Sequence, residues 1–359
     1  AAKRPFLLLG GSAWDGDAVR AIEAFAAANQ LPVGCGFRRQ DRFDNTHPCY
    51  AGDVGIGVNP KLGQRIKEAD LLIALGPRLG EMTTGGYTLL EIPTPKQPLV
   101  HVHPDPEELG RVYQPTLAIN ATPRAFASAA AALAPIAAPP WTAATAAAHA
   151  EYLAWRKPMR SPGAIQMTEI MLWLDSRLPP DAIVTNGAGN FATWVHRFHQ
   201  YRRFGTQLAP TSGSMGYGFP AALAAKIVHP DRAVLCVAGD GDFLMTGQEL
   251  ATAVQRRLGV IVLILNNGMY GTIRMHQERH HPGRVIGTDL HNPDFAALAR
   301  AYGGYGEIVE RTADFAPAFE RAQASGGPAI LELRMDPEAL TIRQSLSEIR
   351  AAAMAGGHA

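Results

Sequence analysis

Two short segments carry residues whose types and spacing can do chemistry. One is Val234-Leu235-Cys236-Val237-Ala238-Gly239-Asp240-Gly241-Asp242-Phe243; the other is Val260-Ile261-Val262-Leu263-Ile264-Leu265-Asn266-Asn267-Gly268. Each is an apolar run of strand length that ends in a polar turn. In an open parallel sheet, ligands bind outside the carboxyl ends of the strands, so both turns belong on a ligand-binding edge with one helix between them. Asp240 offers a carboxylate oxygen and Asn267 an amide oxygen, donors that suit a hard cation such as Mg²⁺ or Ca²⁺. Gly239 and Gly241 let the backbone approach a bulky anion. A helix starting near Thr246 would aim its N-terminus at the same edge, which favours phosphate. The local chemistry is that of a divalent cation bridged to a diphosphate.

The elements that must position these turns follow from the rest of the chain. Its 359 residues suggest about two domains. The hydrophobic fraction of 47% and charged fraction of 18% supply two cores and exclude a disordered chain. A net charge of +1, without a basic run, argues against nucleic acid or an anionic membrane as partner. No apolar run approaches a membrane span. Cys35, Cys49 and Cys236 make no disulfide framework and point to a reducing cytoplasm. The opening Ala1-Ala2-Lys3-Arg4-Pro5 is not a signal peptide; it reads either as a trimmed end or as the middle of a longer protein.

Strands are expected at Phe6–Leu9, Leu71–Leu75 and Leu99–Val102, with helices over Asp17–Asn29, Asn59–Ala69 and Pro123–Leu133. Residues 121–150 contain 16 alanines and several prolines, and the part after Leu133 reads as a linker with a helix permitted in Ala143–Trp155. A second set of strands is expected at Ala182–Thr185, Ala233–Ala238, Val260–Asn266 and Ala329–Leu333. Helices fall at Phe191–His199, Tyr217–Val228, Gly247–Arg256, Pro293–Tyr302 and Ala313–Ala324. This alternation predicts an α/β protein of two doubly wound, mainly parallel sheets: residues 1–135, a linker 136–160, and residues 161–359.

Gly-Asp-Gly, 24 further residues and Asn-Asn resemble the fingerprint of thiamine-diphosphate enzymes. The run Gly247-Gln248-Glu249-Leu250-Ala251-Thr252-Ala253-Val254 also fits that family. Ser212-Gly213-Ser214-Met215-Gly216-Tyr217-Gly218-Phe219-Pro220 resembles its segment under the bent cofactor, and Asn186-Gly187-Ala188-Gly189-Asn190-Phe191 its first diphosphate loop. Leu99-Val100-His101-Val102-His103-Pro104-Asp105-Pro106-Glu107-Glu108 resembles a strand and turn of the central domain of acetohydroxyacid synthase and pyruvate oxidase. The chain thus resembles the acetolactate synthase and 2-oxo acid decarboxylase superfamily over nearly its whole length, as a central Rossmann-like domain followed by a thiamine-diphosphate-binding domain.

The resemblance implies roles. Asp240, Asn267 and the backbone carbonyl of Met269 would ligate Mg²⁺. Gly189, Asn190, Gly241 and Asp242 would contact the diphosphate, and Met215 would sit under the bend. Ser214, Gly239, Tyr270 and Gly271 would complete the cofactor site. Some relatives bind FAD in the central domain; a purely structural role is favoured here, because Gly10-Gly11-Ser12 is too short a glycine signal. The family's pyrimidine-binding domain, which carries the activating glutamate, has no counterpart before Phe6. The catalytic acid is therefore unknown, the missing domain is expected in a lost N-terminal region or on another chain, and this chain should hold the Mg²⁺-diphosphate half of the site. The family also implies a homodimer or homotetramer in the cytoplasm.

The expected activity is decarboxylation or carboligation of a 2-oxo acid. After Asn267 the chain reads Gly-Met-Tyr-Gly-Thr-Ile-Arg-Met-His, not the Gln-Gly-Met-Val pattern of acetohydroxyacid synthases. The substrate-facing side chains should therefore differ, with Tyr270, Ile273 and His276 as the residues to test, and a decarboxylase or lyase on a larger substrate remains an alternative. A diphosphate-binding module without its catalytic partner is a second, non-enzymatic reading. An NAD dehydrogenase is disfavoured, since no Gly-x-Gly-x-x-Gly opens a helix after the first strand. His276 is a candidate catalytic side chain, with a solvated surface as the alternative. Arg274 is either a substrate-carboxylate partner or exposed. His101 and His103 share a strand face but read as surface or core histidines. Cys236 reads as core, Glu249 as structural, and Trp173 and Trp194 as packing residues.

Overall fold

The computed structural model describes residues 2–356. The chain forms two compact units: one runs to Lys157 and also takes in Gln200–Gln207, and the other comprises Pro158–His199 and the chain from Leu208 onward.

The first unit is built from β1 (Pro5–Leu9), α1 (Gly16–Ala28), β2 (Val33–Gly36), β3 (Tyr50–Val54), α2 (Pro60–Glu68), β4 (Leu71–Leu75), β5 (Leu99–His103), β6 (Leu117–Asn120), α3 (Pro123–Ala131) and α4 (Thr142–Trp155). The sheet order is β3-β2-β1-β4-β5-β6 and its pairs are parallel. Strand β1 explains why the sheet must be covered twice. Leu7 and Leu9 enter one core with Ile22 and Val33, while Phe6 and Leu8 enter another with Leu62 and Ile66. A strand buried on both faces reads as a continuous apolar run. Helix ends follow local chemistry: the Asp15 carboxylate accepts from the Ala18 N–H, and the Thr122 hydroxyl accepts from the Ala125 N–H ahead of Pro123.

The alanine-rich stretch expected as a linker holds α4, whose Thr145, Ala148 and Tyr152 are buried; Tyr152 packs edge-on to Tyr50. The Trp141 indole N–H donates to the Asn29 carbonyl at 2.9 Å. A later segment completes the unit. Asp41 Oδ2 accepts the N–H groups of Gly205, Thr206 and Gln207, and Asn45 Oδ1 accepts that of Tyr201.

The second unit comprises α5 (Met167–Arg177), β7 (Ile183–Asn186), α6 (Ala192–Phe198), β8 (Gln207–Leu208), α7 (Gly218–Val228), β9 (Val234–Gly239), α8 (Asp240–Leu244), α9 (Leu250–Gln255), β10 (Ile261–Asn266), α10 (Gly271–His280), α11 (Phe295–Ala301), β11 (Tyr305–Val309), α12 (Thr312–Ala324), β12 (Ala329–Arg334) and α13 (Leu346–Ala355). The sheet order is β11-β12-β10-β9-β7-β8, and the pairs from β11 to β7 are parallel. One core joins Cys236, Ala238, Val262 and Ile264 to Phe219, Phe243 and Phe295. Because β8 and β9 lie on opposite sides of β7, the chain reverses beside β7. That leaves a crevice at the carboxyl ends of β7 and β9, where α/β proteins bind ligands.

Both units therefore match the expected α/β class. Among the described residues, no helix is long and apolar enough to cross a membrane.

Candidate active site

The crevice is an open pocket at the carboxyl edge of the second sheet, with about 100 Å³ of room inside it. The turn after β7 brings Gly189, Asn190 and Phe191; the turn after β9 brings Gly239, Asp240, Gly241 and Asp242. The chain after β10 brings Asn267, Met269, Tyr270, Gly271, Thr272 and Ile273. Met215 lines another wall, and Leu265, Met335, Ala339 and Leu340 add apolar surface.

Asp240 is buried at the centre of this arrangement, 3% exposed. Its Oδ1 accepts from the Gly241 N–H at 2.9 Å, and its Oδ2 accepts from the Gly268 N–H and from the Asn292 amide, both at 2.8 Å. Burial pushes its carboxyl above the ordinary range, opposed by these donors. Each of these donors is neutral. A buried carboxylate stabilised only by neutral donors is a receptive site for a cation. Beside it, Gly271 and Thr272 open the ten-residue α10 on the pocket wall. A helix N-terminus presents N–H groups and positive dipole to an anion. Cation-seeking carboxylate and anion-seeking helix end thus share one pocket, which fits a metal-diphosphate.

Asp242 is buried too, but its Oδ1 accepts from the Gly216 N–H at 2.8 Å and the Ala188 N–H at 3.2 Å. It ties the turn after β7 to the turn before α7. The Thr272 hydroxyl does the same for α10, donating to Asn190 Oδ1 at 3.0 Å and accepting from the Asn190 N–H at 3.0 Å.

Matches to known families agree with this geometry. "Thiamine pyrophosphate enzyme, central domain" matches residues 1–130, and "Thiamine pyrophosphate enzyme, C-terminal TPP binding domain" matches residues 187–333. The chain belongs to the thiamine pyrophosphate enzymes. Among relatives, it is 30% identical over 338 residues to the acetolactate synthase isozyme 2 large subunit of Escherichia coli (strain K12), covering 93% of this chain and 60% of that protein. It is 27% identical to the sulfoacetaldehyde acetyltransferase of Alcaligenes xylosoxydans xylosoxydans, over 89% of this chain and 58% of that one. The solved structure of a Rhodococcus jostii RHA1 thiamine diphosphate-dependent 4-hydroxybenzoylformate decarboxylase superposes with a TM-score of 0.74 at 25% identity, covering 93% of this chain and 62% of that one. The chain thus spans between 51% and 60% of the length of the curated acetolactate synthases it matches first.

Within this thiamine pyrophosphate enzyme, most residues singled out in the sequence meet at the pocket, but several do not. Ser214 is exposed and pairs with the Ser212 hydroxyl at 2.7 Å, away from the lining. His276 is exposed one turn beyond the lining residues of α10, its ring parallel to that of His280 with centroids 6.2 Å apart. Arg274 is neither exposed nor open to a substrate: its Nε donates to Glu278 at 3.0 Å, and a second nitrogen lies 3.5 Å from Asp289. The helix start near Thr246 does not line the pocket; Thr246 instead donates to the Gly216 carbonyl. Trp194 is buried, as expected of a packing residue, and also lines the pocket. Cys236 is a core residue whose thiol is pushed up to about 12 by burial. His101 Nε2 donates to the Pro77 carbonyl at 2.9 Å, and Glu249 accepts from the Thr252 hydroxyl. Among the described residues, no cluster of three or more His, Cys, Asp or Glu could hold a metal.

Sequence reasoning missed Asn292 and the C-terminal residues Met335, Ala339 and Leu340. The first is 52 residues from Asp240; the others follow β12, whose carboxyl end could have signalled them. Gly187 opens the loop after β7, and its lack of a side chain has a packing cause. A Cβ there would lie 2.0 Å from Asp242 Oδ1, so no side chain fits while Asp242 holds both turns. Gly187→Ala should lower stability by about 1–3 kcal/mol, the usual scale for overpacking, and should be read by thermal denaturation beside a Gly327→Ala control, where a Cβ meets nothing within 4 Å.

Proposed function

We propose that the protein works in thiamine-diphosphate-dependent decarboxylation or carboligation of a 2-oxo acid, and that this chain carries the Mg²⁺-diphosphate half of the site. The observation that carries the reading is Asp240: a buried carboxylate with neutral donors only, beside the first turn of α10. Asp240, Asn267 and the Met269 carbonyl would hold Mg²⁺. Gly189, Asn190, Gly239, Gly241, Tyr270 and Gly271 would surround the diphosphate, with Asp242 keeping two of those turns in register and Met215 supporting the bound molecule. When bound, the cofactor supplies the electron sink that 2-oxo acid decarboxylation requires.

The chain's own contribution is binding, orientation and exclusion of water. Trp194, Leu265, Met335 and Leu340 give the pocket an apolar wall that would keep water from the reacting carbon. Ile273 also lines it and is 51% exposed, so it faces the open side, where a substrate would enter. A small substrate such as pyruvate and a larger acyl donor both suit such a wall; the relatives include an acetolactate synthase, an acetyltransferase and an aryl oxo acid decarboxylase. The activating glutamate would come from a pyrimidine-binding domain outside these 359 residues, so the chain alone should turn over no oxo acid. A cytoplasmic homodimer or homotetramer completes the reading. The test is CO₂ release from a panel of 2-oxo acids, pyruvate and benzoylformate included, by the protein produced from its full coding sequence with thiamine diphosphate and Mg²⁺. Release that requires both supports the reading; no release from any oxo acid by a cofactor-loaded protein overturns it.

A further inference from the structure

Asp240 does not stand alone in the fold. Behind it runs a chain of polar side chains in which every donor direction is fixed. It begins at Glu332 on β12, which is 0% exposed. Glu332 Oε2 accepts from the Phe295 N–H at 2.9 Å, and its Oε1 lies 3.0 Å from Arg334 Nε and accepts from the Asn266 amide at 2.8 Å. A carboxylate can only accept here, so Asn266 must present its nitrogen to Glu332 and turn its oxygen the other way. That oxygen accepts from the Asn292 amide at 2.8 Å and the Gly268 N–H at 3.2 Å. The same Asn292 nitrogen donates to Asp240 Oδ2 at 2.8 Å. Both partners of that nitrogen are acceptors, so the amide cannot be flipped.

The arrangement leaves a mark. With its nitrogen committed twice, Asn292 keeps its own Oδ1 buried and without a hydrogen-bond partner. Such an orphan is unfavourable and is uncommon unless something else is gained. The gain is visible at Asp240. Oδ2 accepts two hydrogen bonds, from Gly268 and Asn292, whereas Oδ1 accepts one, from Gly241. Each carboxylate oxygen has two lone-pair positions. Oδ2 is therefore filled and Oδ1 keeps one open.

We propose that Asn292, oriented through Asn266 by the buried Glu332, is a positioning residue that occupies Asp240 Oδ2 and leaves Oδ1 as the single oxygen offered to the divalent cation. The proposal rests on the reading of Asp240 as a metal ligand. Outer partners that orient a ligand typically change metal affinity 10–100-fold when removed. The network links β12, β10 and the segment before α11 to the metal turn, so ligand orientation is set by three elements that each lie outside the Gly-Asp-Gly turn.

The test is Mn²⁺ affinity in the presence of thiamine diphosphate, read by electron paramagnetic resonance on the full chain, with Mn²⁺ standing in for Mg²⁺. Four proteins are compared: the parent, Asp240→Ala, Asn292→Ala and Glu332→Gln. Thermal denaturation is followed in parallel. Asn292→Ser, which keeps a small polar side chain, takes the place of Asn292→Ala should the latter fail to fold. The expected result is loss of Mn²⁺ binding in Asp240→Ala, about a 10–100-fold weaker affinity in Asn292→Ala, and a smaller loss in the same direction in Glu332→Gln, with both network variants folded at the assay temperature. A parent that binds no Mn²⁺, or an Asp240→Ala variant that binds as the parent does, overturns the metal reading and the inference with it. A parent that binds and an Asp240→Ala variant that does not, together with an Asn292 variant within twofold of the parent, overturns the inference alone.

Discussion

Asp240→Ala should abolish Mg²⁺-dependent binding of thiamine diphosphate, weakening it more than about 100-fold, since removing a direct ligand should exceed the 10–100-fold typical of its supporting partners. The same change should leave the protein folded. Removing the carboxylate relieves the burial that pushes its pKa up. Against that, the Gly241 and Gly268 N–H groups and the Asn292 amide lose an acceptor. Asp240 and Gly241 line the pocket, so water can enter the space the carboxylate vacates and meet these donors, and the net effect on stability should stay within about 1–2 kcal/mol. Calorimetric titration with the cofactor and Mg²⁺, beside a thermal melt, separates the two quantities. A variant that binds as the parent does, or one that loses binding only because it unfolds, would contradict the role given to Asp240.

Glu278→Ala should instead strike at the fold around the pocket. Glu278 is fully buried on α10 and accepts from Arg274 at 3.0 Å, from two nitrogens of Arg350 on α13 at 2.8 and 2.6 Å, and from the Gly283 N–H at 2.9 Å. Arg350 is the larger cause of its low pKa, brought down to about 2. The pairing pins α13 over a small core of Met269, Met275, Leu340, Leu346 and Ile349. Two of these residues, Met269 and Leu340, also line the pocket. Truncating one member of a fully buried ion pair costs about 3–5 kcal/mol; here Arg350 reaches water and Arg274 keeps Asp289, so the cost should be nearer about 2 kcal/mol. Denaturant unfolding should show a loss of that size, and cofactor affinity should fall with it as the Leu340 wall loosens. A loss below about 1 kcal/mol would mean that α13 is held by its apolar contacts alone.

The sign of the acid dependence follows from the same group. A carboxylate with a depressed folded-state pKa contributes stability that is fully present above its ordinary value near 4.5 and is lost as pH falls toward about 2. The parent should therefore lose stability over that window, and Glu278→Gln should show a flatter profile across it.

Much of the site was legible in the sequence because its two turns end continuous apolar runs. Val234–Ala238 and Val260–Leu265 can only be strands buried on both faces, and the residues after such strands define the ligand edge. Strands β2 and β3 escaped for the opposite reason. Val-Gly-Cys-Gly and Tyr-Ala-Gly-Asp-Val lack an apolar run, and their burial is decided by α4 and the rest of the unit, not by their own composition. Helix α10 escaped because Gly-Thr-Ile-Arg-Met-His-Gln-Glu-Arg-His carries almost no apolar stripe. Its inner face is bought by the Glu278 ion cluster, a contact to Arg350 that lies 72 residues away. The docking of Gln200–Gln207 on Asp41 and the grip of Asn292 on Asp240 are likewise contacts between distant residues, which no local pattern records.

The central claim is that this chain holds a metal-bridged diphosphate at the Asp240 turn. The most direct measurement is a calorimetric titration of the chain with thiamine diphosphate, run with Mg²⁺ and again in excess EDTA, with thiamine as the ligand lacking the diphosphate. The account predicts binding of thiamine diphosphate that needs Mg²⁺ and no binding of thiamine under either condition. Metal-independent binding, or thiamine bound as well as its diphosphate, would contradict it.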